Sequence, residues 1–422
     1  MRRCFSLLLI LFSWVFAGLR VEKVLESAGV KEYNHWVKVN REKYPELKPV
    51  YITAQIEGED EKGFRLWEIC YYDEDGNVIK REIERASWVR VSSDYDEVYI
   101  TKVDHPMYPQ HPEVVVKDRF GNRLFSVKDV RSVMETETGF YITSWLQPSS
   151  PGDTFPIVNR KGEIIGRLPI LGYPSYPVVS CRRYAVLEIG SEVEKGEYLV
   201  VLDERAREWW RKRFDSQFEC TISEDGSRIA VGDNGKVYVY DEKGRLMHIY
   251  KMPAPYDYFN PGVAFSPTGR YLVACAESSK VSRLGDWSKR NFGSTCVCLY
   301  DNTTGKTLWK ILLPQGYPAY RKGILKIMGD GDYVIIGFSN ALIYVIDREG
   351  NISQIIDLSP EQKDVPVYDK LEGRIRKIKE PRMGRRWRVR FVDNLLVVED
   401  IDEKTRGINW WEIYEIKIKG EE

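Results

Sequence analysis

From residue 50 onward, apolar and polar residues alternate in short runs, and each run ends at Gly, Asp, Asn or Ser. A period of two broken at such residues predicts half-buried strands joined by tight turns. Residues 98–101, 140–144, 184–189, 229–232, 271–275 and 333–337 are the most apolar runs and predict central strands. Residues 78–83 and 246–250 are more polar and predict strands at an outer edge. Before residue 49 the pattern differs. Residues 21–30 have the composition and spacing of a short helix, and residues 36–40 alternate like one strand.

One turn recurs between the apolar runs: an Asp, once Asn, followed three or four residues later by Gly. It reads Asp73-Glu-Asp-Gly76, Asp118-Arg-Phe-Gly121, Asn159-Arg-Lys-Gly162, Asp241-Glu-Lys-Gly244, Asp301-Asn-Thr-Thr-Gly305 and Asp347-Arg-Glu-Gly350. Asp203-Glu-Arg-Ala206 is a degenerate copy. First residues are spaced 45, 41, 44, 38, 60 and 46 apart. A period in the forties carried by hairpin turns predicts an all-β propeller of four-stranded antiparallel blades. An eighth pair of central strands at 395–399 and 410–415 lacks an outer strand, so eight blades are expected, with seven as the alternative. Residues 36–40 serve either to close the ring on the last blade or as the inner strand of the first.

The stretch Phe265-Ser-Pro-Thr-Gly-Arg-Tyr-Leu-Val-Ala274, continued at Leu299-Tyr-Asp-Asn-Thr-Thr-Gly-Lys-Thr-Leu-Trp309, resembles WD40-type and quinoprotein-type propeller repeats. Ile222-Ser-Glu-Asp-Gly-Ser-Arg-Ile-Ala-Val231 is a second good copy. The resemblance implies the broad propeller class and leaves function open, because such propellers serve as scaffolds, ligand binders and enzymes. Quinone enzymes of this class carry a Gly-then-Trp docking motif in most blades. Here Gly305 to Trp309 matches it, whereas the other units place Lys80, Phe125, Gly166, His248 and Gln354 at that offset. No quinone or other cofactor is expected.

Lys+Arg and Asp+Glu both number 63, so no net charge points to nucleic acid. Residues 1–17 run from Met1-Arg2-Arg3 through a short apolar core to Val15-Phe16-Ala17, the form of a secretory signal peptide. Cleavage near Ala17 and a periplasmic or extracellular location follow. The expected organisation is a signal at 1–17, an N-terminal segment at 18–48, the propeller at 49–418 and a tail at 419–422. Export makes disulfides plausible, and Cys275 and Cys296, on successive strands, are the expected pair, with buried free thiols as the alternative.

In such a meander the Asp-Gly turns share a side with the first-to-second turns. The second-to-third loops and the inter-blade links share the other side, and these hold the aromatic residues. Tyr173, Tyr176, Tyr256, Tyr258, Trp287, Tyr317 and Tyr320 are the candidate contact residues there, because Tyr and Trp pair a large apolar face with a polar tip. Residues 370–390 hold ten basic residues against Glu372 and Glu380. Arg382, Arg385 and Arg386 within it are candidates for contact with an anionic surface. His105 and His111, separated by five residues of which two are prolines, are the weak metal candidates. The chain carries no recognisable nucleophile elbow, zinc motif or P-loop. The expected function is therefore an exported, non-catalytic propeller binding a protein, peptide or glycan. The alternative is a propeller enzyme acting on polysaccharide, or a quinone-dependent dehydrogenase.

Overall fold

The computed structural model describes residues 19–27, 50–92, 96–105, 111–130, 132–144, 154–169, 173–191, 196–216, 218–277, 295–313, 324–337, 342–357, 363–369, 374–380, 385–392, 395–402 and 408–418. These residues are all-β, in sheets whose strands follow one another in order as antiparallel meanders. Sheet one has three strands, Ile52–Glu59, Arg65–Tyr72 and Val78–Arg85. Six four-stranded sheets follow: two at 88–128, three at 132–169, four at 173–214, five at 219–251, six at 258–313 and seven at 324–357. The terminal sheet joins Arg385–Val392, Leu395–Asp402 and Ile408–Ile418 to the N-terminal strand Leu19–Ser27. A separate hairpin, Lys363–Asp369 with Arg374–Glu380, stands between sheets seven and terminal.

Successive sheets pack face to face. Each central strand sends alternate side chains to its two neighbours, as a period of two dictates. In sheet four, Ala185 and Leu187 join Ile142 and Ile157 of sheet three, while Val186 and Leu199 join Ile229 and Val231 of sheet five. The same arrangement links each of the seven successive sheets to the next, through six buried clusters. First strands of sheets four, five, six and seven touch in succession and so mark the inner side. This is the propeller arrangement: each sheet is a blade, with its core in the joints.

The recurring turn has one geometry. At Asp73, Asp118, Asn159, Asp203 and Asp241 the side-chain oxygen accepts the N–H groups two and four residues on, at 2.8–3.0 Å. The residue three on lies at positive φ, and Ala206 takes that conformation at +60°. Asp60-Glu-Lys-Gly63 repeats the motif on the other side of sheet one, outside the period, where alternation alone does not single it out.

Two expectations change. Residues 21–30 were expected to be helical, but Leu19–Ser27 is a strand paired with Ile408–Ile418 from Leu19↔Ile418 to Ser27↔Trp411. A long edge strand with unpaired backbone groups outweighs the local helical preference of Glu, Lys and Leu. Outer strands are also less polar than expected, since Ile79, Ile83, Ile164, Leu246, Ile249 and Leu312 are exposed on them. The signal segment at 1–17 and the strand expected at 36–40 lie outside the described residues.

Candidate functional site

The joints between blades come first, because they fix the side on which a site can form. The residue four beyond each turn glycine reaches the turn of the next sheet. Lys80 Nζ donates to Gly121 O at 2.8 Å, Trp210 Nε1 to Glu242 O at 2.9 Å, and Trp309 Nε1 to Arg348 O at 2.9 Å. His248 donates through Nε2 to Asn302 O at 2.7 Å. The glycines make room for these side chains. A Cβ on Gly162 would lie 2.6 Å from Phe125 Cβ, one on Gly244 2.8 Å from Trp210, and one on Gly350 2.9 Å from Trp309. One joint is reversed: where the turn carries Ala206, the docking position is Gly166, whose Cβ would lie 3.0 Å from Ala206 O. Docking is therefore general and not confined to Gly305–Trp309. Trp210 escapes the sequence pattern because Ala206 replaces the expected glycine.

The opposite side is the loop side. Its best-defined group sits on the inner ends of sheets four to six. Tyr258 opens the first strand of sheet six, pairs with Glu277, and is 43% exposed. A bulge follows between Phe259 and Gly262, where Gly262 takes φ +115°. Glu219 of sheet five packs on that glycine, its Cβ 3.3 Å from where a Gly262 Cβ would stand. Glu188 of sheet four is buried and accepts the Phe218 N–H at 3.2 Å. Burial pushes the Tyr258 hydroxyl above its ordinary pKa, and the negative charges of Glu219, Glu277 and Glu188 add to the shift.

Glu277 is the most unusual member. It is buried, its Oε1 has no hydrogen-bond partner among the described residues, and burial raises its pKa to about 8. The register that pairs Ala276 with Cys296 carries Glu277 opposite Thr295. Thr295 Oγ1 is likewise buried without a partner. Two adjacent buried oxygens without partners form a costly arrangement, of about 1–3 kcal/mol each. The site can thus accept a donor or a positive charge beside an exposed aromatic ring. Periodicity did not flag Glu277, because an acid ending an apolar strand looks like the first loop residue.

Other candidates lie elsewhere. Tyr256, expected on the contact surface, is buried in the cluster between sheets five and six, where its ring fills the joint. Tyr173 and Tyr176, expected in a link, belong to the strand Tyr173–Cys181, whose register shifts between Ser175 and Val179. Arg385 and Arg386 begin the strand Arg385–Val392, so the basic run is not a link but parts of a hairpin and of the terminal sheet. Trp287, Tyr317, Tyr320 and Arg382 lie outside the described residues. His105 and His111 are exposed, and His111 Nδ1 stands 3.4 Å from Asp129 Oδ1. Among the described residues no three His, Cys, Asp or Glu side chains converge as a metal site.

The expected Cys275–Cys296 bridge is also corrected. Cys275 pairs with Val297, and Cys296 with Ala276, so the one-residue offset puts the two thiols on opposite faces. Cys275 points into the joint with sheet seven and Cys296 into the joint with sheet five. Cys70, Cys181, Cys220, Cys275, Cys296 and Cys298 are all free thiols.

No protein-family model and no curated protein sequence matches the chain. Solved structures do. A eukaryotic initiation factor structure aligns at a TM-score of 0.51 and 9% identity, over 73% of this chain and 76% of that one. BamB from Moraxella catarrhalis aligns at a TM-score of 0.49 and 9% identity, over 86% and 99%. The computationally designed Ika8 protein aligns at 0.48 and 13%, over 87% and 96%. At such identities the likeness is one of fold, and with the meander sheets and their joints it puts the chain in the broad β-propeller class.

Proposed function

We propose that this chain is an exported, non-catalytic propeller that binds a partner protein through its loop side, taking a Lys or Arg side chain of the partner at Tyr258. The observation that carries the reading is the exposed Tyr258 ring with the carboxyl groups of Glu188, Glu219 and Glu277 around it. A cation over an aromatic face and beside carboxylates gains from both contacts, and the gain grows as water is excluded. Binding also gives the Glu277 carboxyl a charged partner, so engagement releases a proton near neutral pH.

Eight blades are the proposed count, with the N-terminal strand closing the ring on the last. The reading of export rests on the basic start, short apolar core and small-residue end of residues 1–17. Mass spectrometry of material recovered from outside the cytoplasm gives a mature chain beginning near Gly18; an intact Met1 there overturns the export reading.

Binding is tested on combined peptide and glycan arrays with the mature protein, then with Tyr258→Ala, Glu219→Gln and the loop substitutions Trp287→Ala and Tyr317→Ala. Peptides rich in Lys and Arg are the expected hits, weakened about tenfold by Tyr258→Ala. Equal binding by wild type and by Tyr258→Ala overturns the assignment, as does retention of glycans alone.

A further inference from the structure

We propose that Cys296, Cys298 and Met252 form a binding site for one soft monovalent metal ion, copper(I). Cys296 and Cys298 are two apart on the strand Thr295–Asp301, so both thiols leave the same face. Side chains so placed start about 6.6 Å apart along a strand. Here the sulfurs lean together to 3.9 Å. A disulfide requires about 2.05 Å, so the pair is not bonded. Two thiolates held about 2.3 Å from one ion, at tetrahedral to trigonal angles, stand about 3.8–4.0 Å apart. The observed separation falls in that interval.

A third sulfur lies in the same buried cluster. Met252 follows the outer strand of sheet five, and its Sδ accepts the Tyr300 hydroxyl at 3.2 Å. Tyr300 is two residues beyond Cys298 on the same strand, so its ring leaves the same face as the thiol pair and brings the thioether to it. The residues paired with the two cysteines are small: Ala274 opposes Cys298 and Ala276 opposes Cys296. Ala230 of sheet five joins them in the cluster. Cys296 and Met252 both stand at the loop ends of their strands.

The donor set selects the ion. Thiolate and thioether ligands favour copper(I), whereas structural zinc takes four ligands and magnesium or calcium take oxygen. Binding forms three S–Cu bonds, two from the thiolates and one from the Met252 thioether, and sends the two thiol protons to solvent, with no change of oxidation state. The single negative charge that remains is offset by Lys310, paired with Cys298 across the sheet.

The test is an anaerobic titration of the full mature chain with copper(I) against bicinchoninate, a coloured competitor for that ion. Wild type and Cys275→Ser are expected to hold one ion each, because Cys275 faces the other joint. Cys296→Ser and Cys298→Ser are expected to lose it, and Met252→Leu to bind about tenfold more weakly. Thermal melts by circular dichroism confirm which variants fold, and Met252→Leu, which preserves core volume, keeps the measurement on a native molecule. Complete release of copper by the wild type overturns the proposal, as does equal retention by the folded Cys296→Ser/Cys298→Ser double variant. Preferential uptake of zinc in the same titration overturns the choice of ion.

Discussion

A turn glycine in this protein does two jobs, and they can be separated. Gly63 and Gly350 both lie at positive φ, +78° and +88°, but a Cβ on Gly63 meets nothing within 4 Å while one on Gly350 meets Trp309 at 2.9 Å. Gly63→Ala should destabilise by about 1–2 kcal/mol, the backbone term alone. Gly350→Ala should destabilise by more, and in a Trp309→Ala background the excess should vanish. Urea unfolding of the four proteins checks this, and an unchanged excess without the indole refutes the docking role. Glu277 gives a second prediction at this scale. Its folded pKa of about 8 lies above the ordinary 4.5, so the folded state holds a proton that the unfolded chain has released between those values. Its stabilising contribution is fully present below about pH 4.5 and is lost as pH rises to about 8. Glu277→Gln should flatten that part of the stability profile and raise the melting temperature at neutral pH. The Asp-Gly turns were legible in the sequence because Asp and Gly are required there by hydrogen bonding and by φ. Trp210 was not, because Ala206 stands four residues before it where the other turns have glycine.

Strand register decides more at the level of elements than composition does. Cys275 and Cys296 looked adjacent because their strands are successive, yet a one-residue offset sends them into different joints. Mature protein denatured without reductant should therefore expose six thiols to a colorimetric reagent, and a count of four would restore the bridge. The N-terminal strand shows the opposite limit. Residues 21–30 carry good helix formers, and no local signal announces the partner that Ile408–Ile418 supplies from the far end of the chain. Deleting residues 19–27 should leave that strand as a long open edge, lower the melting temperature and promote association. A synthetic peptide of residues 19–27 added in excess should reverse both effects; a deletion variant that melts like the full chain contradicts the pairing. The central strands were read well, since burial on both faces leaves an apolar run that few other elements share.

For the molecule as a whole, stability is expected to be transmitted from neighbour to neighbour. Ile142→Ala opens a cavity in the joint between sheets three and four and should destabilise by about 2–5 kcal/mol. Hydrogen exchange should quicken in those two sheets and stay unchanged in sheets six and seven; a uniform change would show that the sheets behave as one cooperative body. What the sequence left unread at this scale is the loop side, where the Tyr258–Glu277 pair of sheet six lies beside Glu219 of sheet five, so that no fixed spacing along the chain relates them. The reversed joint at Gly166 and Ala206 has a consequence of its own. Each joint divides a similar space differently between its two sides: Lys80, Phe125, Trp210, His248 and Trp309 face a bare glycine, while Gly166 faces a methyl group. Neighbouring blades are thus matched like numbered parts. A gene rearrangement that moved the Asp203–Ala206 turn of sheet four beside Trp210 or Trp309 would set a methyl group against an indole, so the order of the repeats is written into the repeats themselves.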